Sequence, residues 1–250
     1  MIQKMSSSGT LPIGATLDEG WRLFLKSVPV ILLPIWAAGI VDVVPDAFAG
    51  GGLLTGSLNW SMLLITLGAW LVESVLYGSA IAKLDAFASE TALSYTRALR
   101  IGIRAAPAIL IGDLLYNLAA WGGFMLFIIP GLILGTTLAF FAYAAVLDRK
   151  NILDALGYSH ALTWPHWWRT SVVVSAPAIA LFVYEVIANW PDIVNALRQF
   201  SAGQMPSTTS LMNPWYDLGL MPLLGAIVWC YALAVCYVQY RRLQMRADAH

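Results

Sequence analysis

WSMLLITLGAWLVESVLYGSAIA, residues 60–82, contains one carboxylate, Glu73, and no Lys or Arg. At a rise of 1.5 Å per residue, about 20 predominantly apolar residues carry an α-helix across a hydrocarbon layer about 30 Å thick. The stretch is long enough to do so, and it is not alone. Residues 28–44, 106–128, 132–147, 171–190 and 218–240 have the same character. The first and fourth are close to the lower limit for a span, so flanking turns are expected to complete them.

Composition agrees with this pattern. Hydrophobic residues make up 59% of the 250, charged residues 11%, and the mean hydropathy is +0.72. Soluble domains carry roughly a quarter charged residues, so a surface this poor in charge requires lipid as its solvent. The expected fold is an all-α polytopic membrane protein, a single domain of six transmembrane helices over residues 1–250. Residues 1–12 are polar and Ser-rich and read as a flexible N-terminus. They lack the basic start and apolar core of a secretory signal, so the first apolar run is expected to stay in the mature chain.

The Lys and Arg residues set the orientation, because they accumulate on the cytoplasmic side of short loops. With six spans, Lys4, Arg22, Lys26, Lys83, Arg97, Arg100, Arg104, Arg149, Lys150, Arg169, Arg241, Arg242 and Arg246 share one side, and Arg198 is on the other. This distribution places both termini in the cytoplasm. Trp60, Trp121, Trp190 and Trp215 fall at the outer boundary and Trp21, Trp164, Trp167 and Trp168 at the inner one, as in aromatic belts. The net charge of zero offers nothing to nucleic acid.

The segments between spans carry patterns of their own. Thr16 and Glu19 have capping-box spacing, followed by an apolar stripe of Leu17, Trp21, Phe24, Leu25 and Val28 opposite Asp18, Arg22 and Lys26. Residues 94–105 place Tyr95, Leu99 and Gly102 against Arg97, Arg100 and Arg104. Residues 151–168 open with Asn151 and Asp154 in N-cap spacing. Each reads as an amphipathic helix lying at the interface, so the chain reads as three repeats of amphipathic helix plus transmembrane hairpin. Residues 22–33 and 100–111 align Arg22 with Arg100, Lys26 with Arg104 and Pro29 with Pro107. Short apolar segments match easily, and chance similarity is the competing reading. Of the outer connections, residues 45–59 contain a flexible Gly50-Gly51-Gly52 run, the middle hairpin turns through Pro130 and Gly131, and residues 191–214 form a longer polar loop.

Few residues offer chemistry. Glu73 and Asp113 lie deepest among the acids of the spans, with Tyr77 and Asn117 as same-face neighbours and no basic residue in the spans to neutralise them. They form a candidate intramembrane polar site at a shared depth. Asp42 and Glu185 lie toward the outer ends. Arg97, Arg100, Arg104, Trp164, Trp167, Trp168 and Arg169 are candidate contacts for lipid headgroups, and ordinary anchoring is the plainer reading of the Trp residues. Ser74, Gly78 and Ala82, and Gly131, Gly135 and Ala139, are small-residue stripes that allow close helix packing, within the chain or in a homodimer. Asp154, Ser159 and His160 make no catalytic triad by proximity alone, and neither His160 nor His166 has a nearby ligand set. Cys230 and Cys236, six residues apart in one helix, point in different directions and read as structural thiols. No cofactor or metal signature is present.

The run Ile128-Ile129-Pro130-Gly131-Leu132-Ile133-Leu134, with Phe140 to Asp148, Asp154-Ala155-Leu156, Ser159, Leu162-Thr163 and Trp168-Arg169, resembles bacterial membrane proteins related to the membrane domain of glycerophosphoryl diester phosphodiesterases. The pattern departs from that family at Pro165-His166. The resemblance implies a helical membrane module without the soluble domain that carries the phosphodiesterase chemistry. The expected function is therefore non-enzymatic, through contacts with membrane lipids or a protein partner at the cytoplasmic interfacial helices. The alternative is a small ion-coupled carrier built on Glu73 and Asp113.

Overall fold

A computed structural model describes residues 12–49, 60–203 and 219–249. Lys4, the Gly50–Gly52 run, Trp215 and residues 204–214 of the last connection lie outside the described residues. The helices are α1 (Ile13–Ala49), α2 (Trp60–Ala88), α3 (Tyr95–Leu126), α4 (Ile128–Thr137), α5 (Phe141–Leu147), α6 (Ile152–Thr163), α7 (Trp167–Ala188), α8 (Trp190–Ser201) and α9 (Met221–Ala247). Six helical stretches are long and apolar enough to cross a membrane, with α4–α5 and α6–α7 each counting as one. The chain is an all-α, multi-pass membrane protein. Its exposed side chains fit lipid: Leu64, Leu118, Ile128 and Phe182 are each at least two-thirds exposed, a surface that water would not tolerate over so large an area.

Around the bundle, α1 packs on α2 and α9, α2 on α3, α3 on α4 and α5, α4 on α7, and α7 on α9. The first two amphipathic segments are not separate helices at the interface. Residues 13–49 form one helix of 37 residues and residues 95–126 one of 32, each continuing through the proline near the start of its apolar run, Pro29 and Pro107. Thr16 does not cap α1 either. It lies inside the first turn, where its hydroxyl donates to the Pro12 carbonyl at 2.9 Å. The third segment differs: α6 and α7 are joined by a 3-10 turn over Trp164–His166, with Pro165 supplying the break. The Asn151 cap is formed, its side chain accepting from the Asp154 N–H at 3.0 Å. Ser94 caps α3 in the same way through the Arg97 N–H.

The turn of the middle hairpin is tighter than its sequence suggests. It is made at Phe127 alone, and Pro130 and Gly131 belong to the first turns of α4, where a missing N–H costs nothing. The fourth span is also discontinuous, interrupted over residues 138–140. The partly exposed α4 leads into α5, whose residues Phe141 to Val146 are all buried. Irregular backbone at such depth must be satisfied by protein. Ser159 does this from α6: its hydroxyl donates to the Thr137 carbonyl at 2.8 Å and accepts the Phe140 N–H at 3.1 Å.

The 191–214 connection begins as a helix. In α8, Trp190, Ile193, Leu197 and Phe200 recur at helical spacing and are all exposed, an amphipathic period within a segment whose polar composition reads as loop.

Candidate functional site

The Glu73 and Asp113 pair comes from the packing of α2 on α3. Gly102 sits so close to α2 that an added Cβ would lie 2.2 Å from the Val75 carbonyl oxygen, and a Cβ added at Gly78 would lie 3.2 Å from the Gly102 Cα. Ser74, Gly78 and Ala82 are all buried, with Gly78 at this seam. Gly102 therefore faces a helix, while Tyr95 and Leu99, grouped with it by sequence, are exposed. Near mid-span, Glu73 lies within electrostatic range of Asp113 on α3 and Asp42 on α1. Neither Glu73 nor Asp113 has an ion pair among the described residues. Asn117 donates to the backbone carbonyl of Asp113 at 2.9 Å, and Tyr77 packs edge-on against Trp229 at 6.2 Å.

The second stripe is likewise used inside the chain. Gly131 fits against Gly123 and Phe124 of α3, and a Cβ added at Gly135 would lie 3.9 Å from Ala120 and Tyr116. Ala139 falls in the break between α4 and α5. The Trp-rich turn leaves Trp164 and Trp168 about half exposed, with Arg169 5.7 Å from the centre of the Trp168 ring and Trp167 only partly exposed. His160 stacks on Trp164 at 5.1 Å, and His166 reaches Arg246 at 3.5 Å. Cys230 and Cys236 are free thiols, the first buried.

Sequence reasoning missed the polar network at the end of α9. Tyr237 donates to Asp85 at 2.7 Å, and Arg241 pairs with the same carboxylate at 2.5 Å. One turn around the helix, Tyr240 donates to Asp148, and Gln244 donates to that oxygen at 2.9 Å. Arg242 pairs with Glu19 at 2.6 Å and donates to Thr16 at 2.8 Å. Gln239 donates to Thr170 at 2.9 Å. Helical spacing explains the division: residues four apart share a face, so Tyr237 with Arg241 serves α2 and Tyr240 with Gln244 serves the end of α5. Read for charge alone, Arg241 and Arg242 are topology markers. The signal that distinguishes them is the run of Tyr, Gln and Arg at one helix end, which lipid alone does not require.

All of these partners lie at one end of the bundle, which is the end where the described chain begins and finishes. Three arginines on α3 at the same end behave differently. Arg97, Arg100 and Arg104 are exposed, and none has an ion pair among the described residues, whereas Arg22, Arg241 and Arg242 each do. Deeper along α2 and α3, Leu71, Val72, Val75, Leu76, Leu99 and Ile103 line much of an apolar depression of about 350 Å³. No family model, curated protein or solved structure matches the chain.

Proposed function

We propose that this is a non-enzymatic protein of the bacterial inner membrane, with both described ends in the cytoplasm, that acts by holding anionic lipid at the cytoplasmic end of α3. The observation that carries this reading is the unpaired arginine row Arg97, Arg100 and Arg104. Guanidinium groups without a carboxylate partner, beside exposed Leu99 and Ile103, suit a surface of lipid phosphates over acyl chains. The concentration of basic residues at that end supports the cytoplasmic orientation, and the resemblance around Ile128 to Arg169 supports a membrane module rather than an enzyme.

The test is the lipid composition that the protein retains when extracted from mixed phosphatidylglycerol and phosphatidylethanolamine membranes, read by native mass spectrometry. Replacing Arg100 and Arg104 together with Gln removes about 1 kcal/mol of attraction per charge, so enrichment of the anionic lipid falls several-fold. Unaltered enrichment in the folded variant would end this reading.

The placement of Glu73 within electrostatic range of Asp42 and Asp113 supports a second reading, an ion-coupled carrier. Charges retained near mid-membrane are costly without a water-lined or hydrogen-bonded setting. On that reading Glu73→Gln with Asp113→Asn abolishes a pH-dependent flux in reconstituted vesicles, and full retention of the flux eliminates it.

A further inference from the structure

We propose that an open cavity of about 590 Å³ between α1, α2 and the start of α3 is a stoichiometric site for a phosphate ester, recognised by Lys83 and Arg97. The proposal rests on the lipid-contact reading for the source of the ester, a phospholipid headgroup. It assigns a single built site in place of a diffuse basic surface.

The cavity carries two cations, Lys83 and Arg97, and no carboxylate in its lining. The nearest acid along α2, Asp85, is engaged by Tyr237 and Arg241 of α9. Val30, Ala86, Phe87, Ala92 and Leu93 supply apolar walls. Positive charge over an apolar floor, at the bundle end where headgroups lie, calls for a ligand with a doubly served anion attached to carbon.

The walls are held in place before any ligand arrives. Pro34 has no N–H, so the Val30 carbonyl loses its helical donor. The Tyr95 hydroxyl takes that role at 3.0 Å and ties the start of α3 to α1. The Lys83 ammonium lies 4.0 Å from the centre of the Tyr95 ring and donates to the Leu93 carbonyl at 2.8 Å. An ammonium has three donors, so it keeps hydrogens for a ligand while its position is fixed. The loop is closed by the Thr91 N–H to the Ala86 carbonyl at 2.8 Å, with Glu90 in the left-handed region at φ 54°. A site ordered in advance loses little entropy on binding.

The experiment uses the full chain in phosphatidylcholine nanodiscs, titrated with phosphatidic acid or phosphatidylglycerol and read by native mass spectrometry. A saturable one-to-one adduct is expected. Arg97→Gln, a change at an exposed side chain, should weaken it about fivefold, the effect of one charge. Lys83→Met should weaken it at least as much and Lys83→Arg should preserve it. Competition by inorganic phosphate would assign the site to free phosphate esters, and adduct formation insensitive to inorganic phosphate assigns it to lipid. Arg100→Gln with Arg104→Gln should lower general anionic enrichment and leave the one-to-one adduct intact. Absence of a saturable adduct, or wild-type affinity in folded Arg97→Gln, overturns the site. General enrichment that survives in that case leaves the broader lipid-contact reading standing.

Discussion

The Arg242 guanidinium lies 2.6 Å from the Glu19 carboxylate, and this pair ties α9 to α1 across 223 residues. Only 8% of the Arg242 side chain is exposed. Removing one partner of so enclosed a pair strands the other, at a cost of about 3–5 kcal/mol. Arg242→Ala is therefore expected to lower the thermal unfolding midpoint in detergent sharply, followed by tryptophan fluorescence. Replacing both residues with apolar ones, as in Arg242→Met with Glu19→Leu, should recover much of the loss. A single variant as stable as wild type would show that the pair contributes nothing to the fold.

Ser159 joins the two halves of the interrupted fourth span. Ser159→Ala leaves the Phe140 N–H and the Thr137 carbonyl without their side-chain partner in a fully buried place. Such a loss costs about 1–3 kcal/mol. It should appear as faster hydrogen exchange confined to the residues around the break, and unchanged exchange there would refute the bridging role.

Gly102 and Gly68 offer a matched comparison. An alanine Cβ at Gly102 would press on the Val75 carbonyl at 2.2 Å, whereas at Gly68 nothing lies within 4 Å. Gly102→Ala should force α2 and α3 apart and destabilise by about 1–3 kcal/mol. Gly68→Ala should stabilise slightly or leave stability unchanged, since Ala is the better helix former. Equal stability of the two variants would rule out the close seam.

Topology is open to labelling. Ser89 is exposed at the end of α2, next to the proposed phosphate site, and Ser201 is exposed at the end of α8. With a membrane-impermeant maleimide on intact cells, Ser201→Cys should label at once and Ser89→Cys only after permeabilisation. The reverse order would invert the orientation.

The six spans were legible because each is an apolar run that only lipid or a large core can absorb. The cap at Asn151 was legible because its partner, Asp154, is three residues away. Where helices join was harder to read. The polar turns Thr16 to Lys26 and Ser94 to Arg104 look like separate surface helices, but a helix continues unless something stops it, and neither stretch contains a stop. The Ser159 bridge and the acids around α9 depend on partners distant in sequence, so no local period marks them. The α8 stripe is a different case: Trp190, Ile193, Leu197 and Phe200 carry the period openly, and the polar residues between them obscured it.

Glu19, Asp85 and Asp148 come from three different parts of the chain, yet all find their donors on α9. A ribosome makes these acids long before it makes Tyr237, Tyr240, Arg241 and Arg242. Throughout that interval the nascent protein carries three unanswered carboxylates at one membrane face and a gap where α9 belongs. Assembly of this end of the bundle thus waits for α9, and chains stalled before it present an unfinished surface.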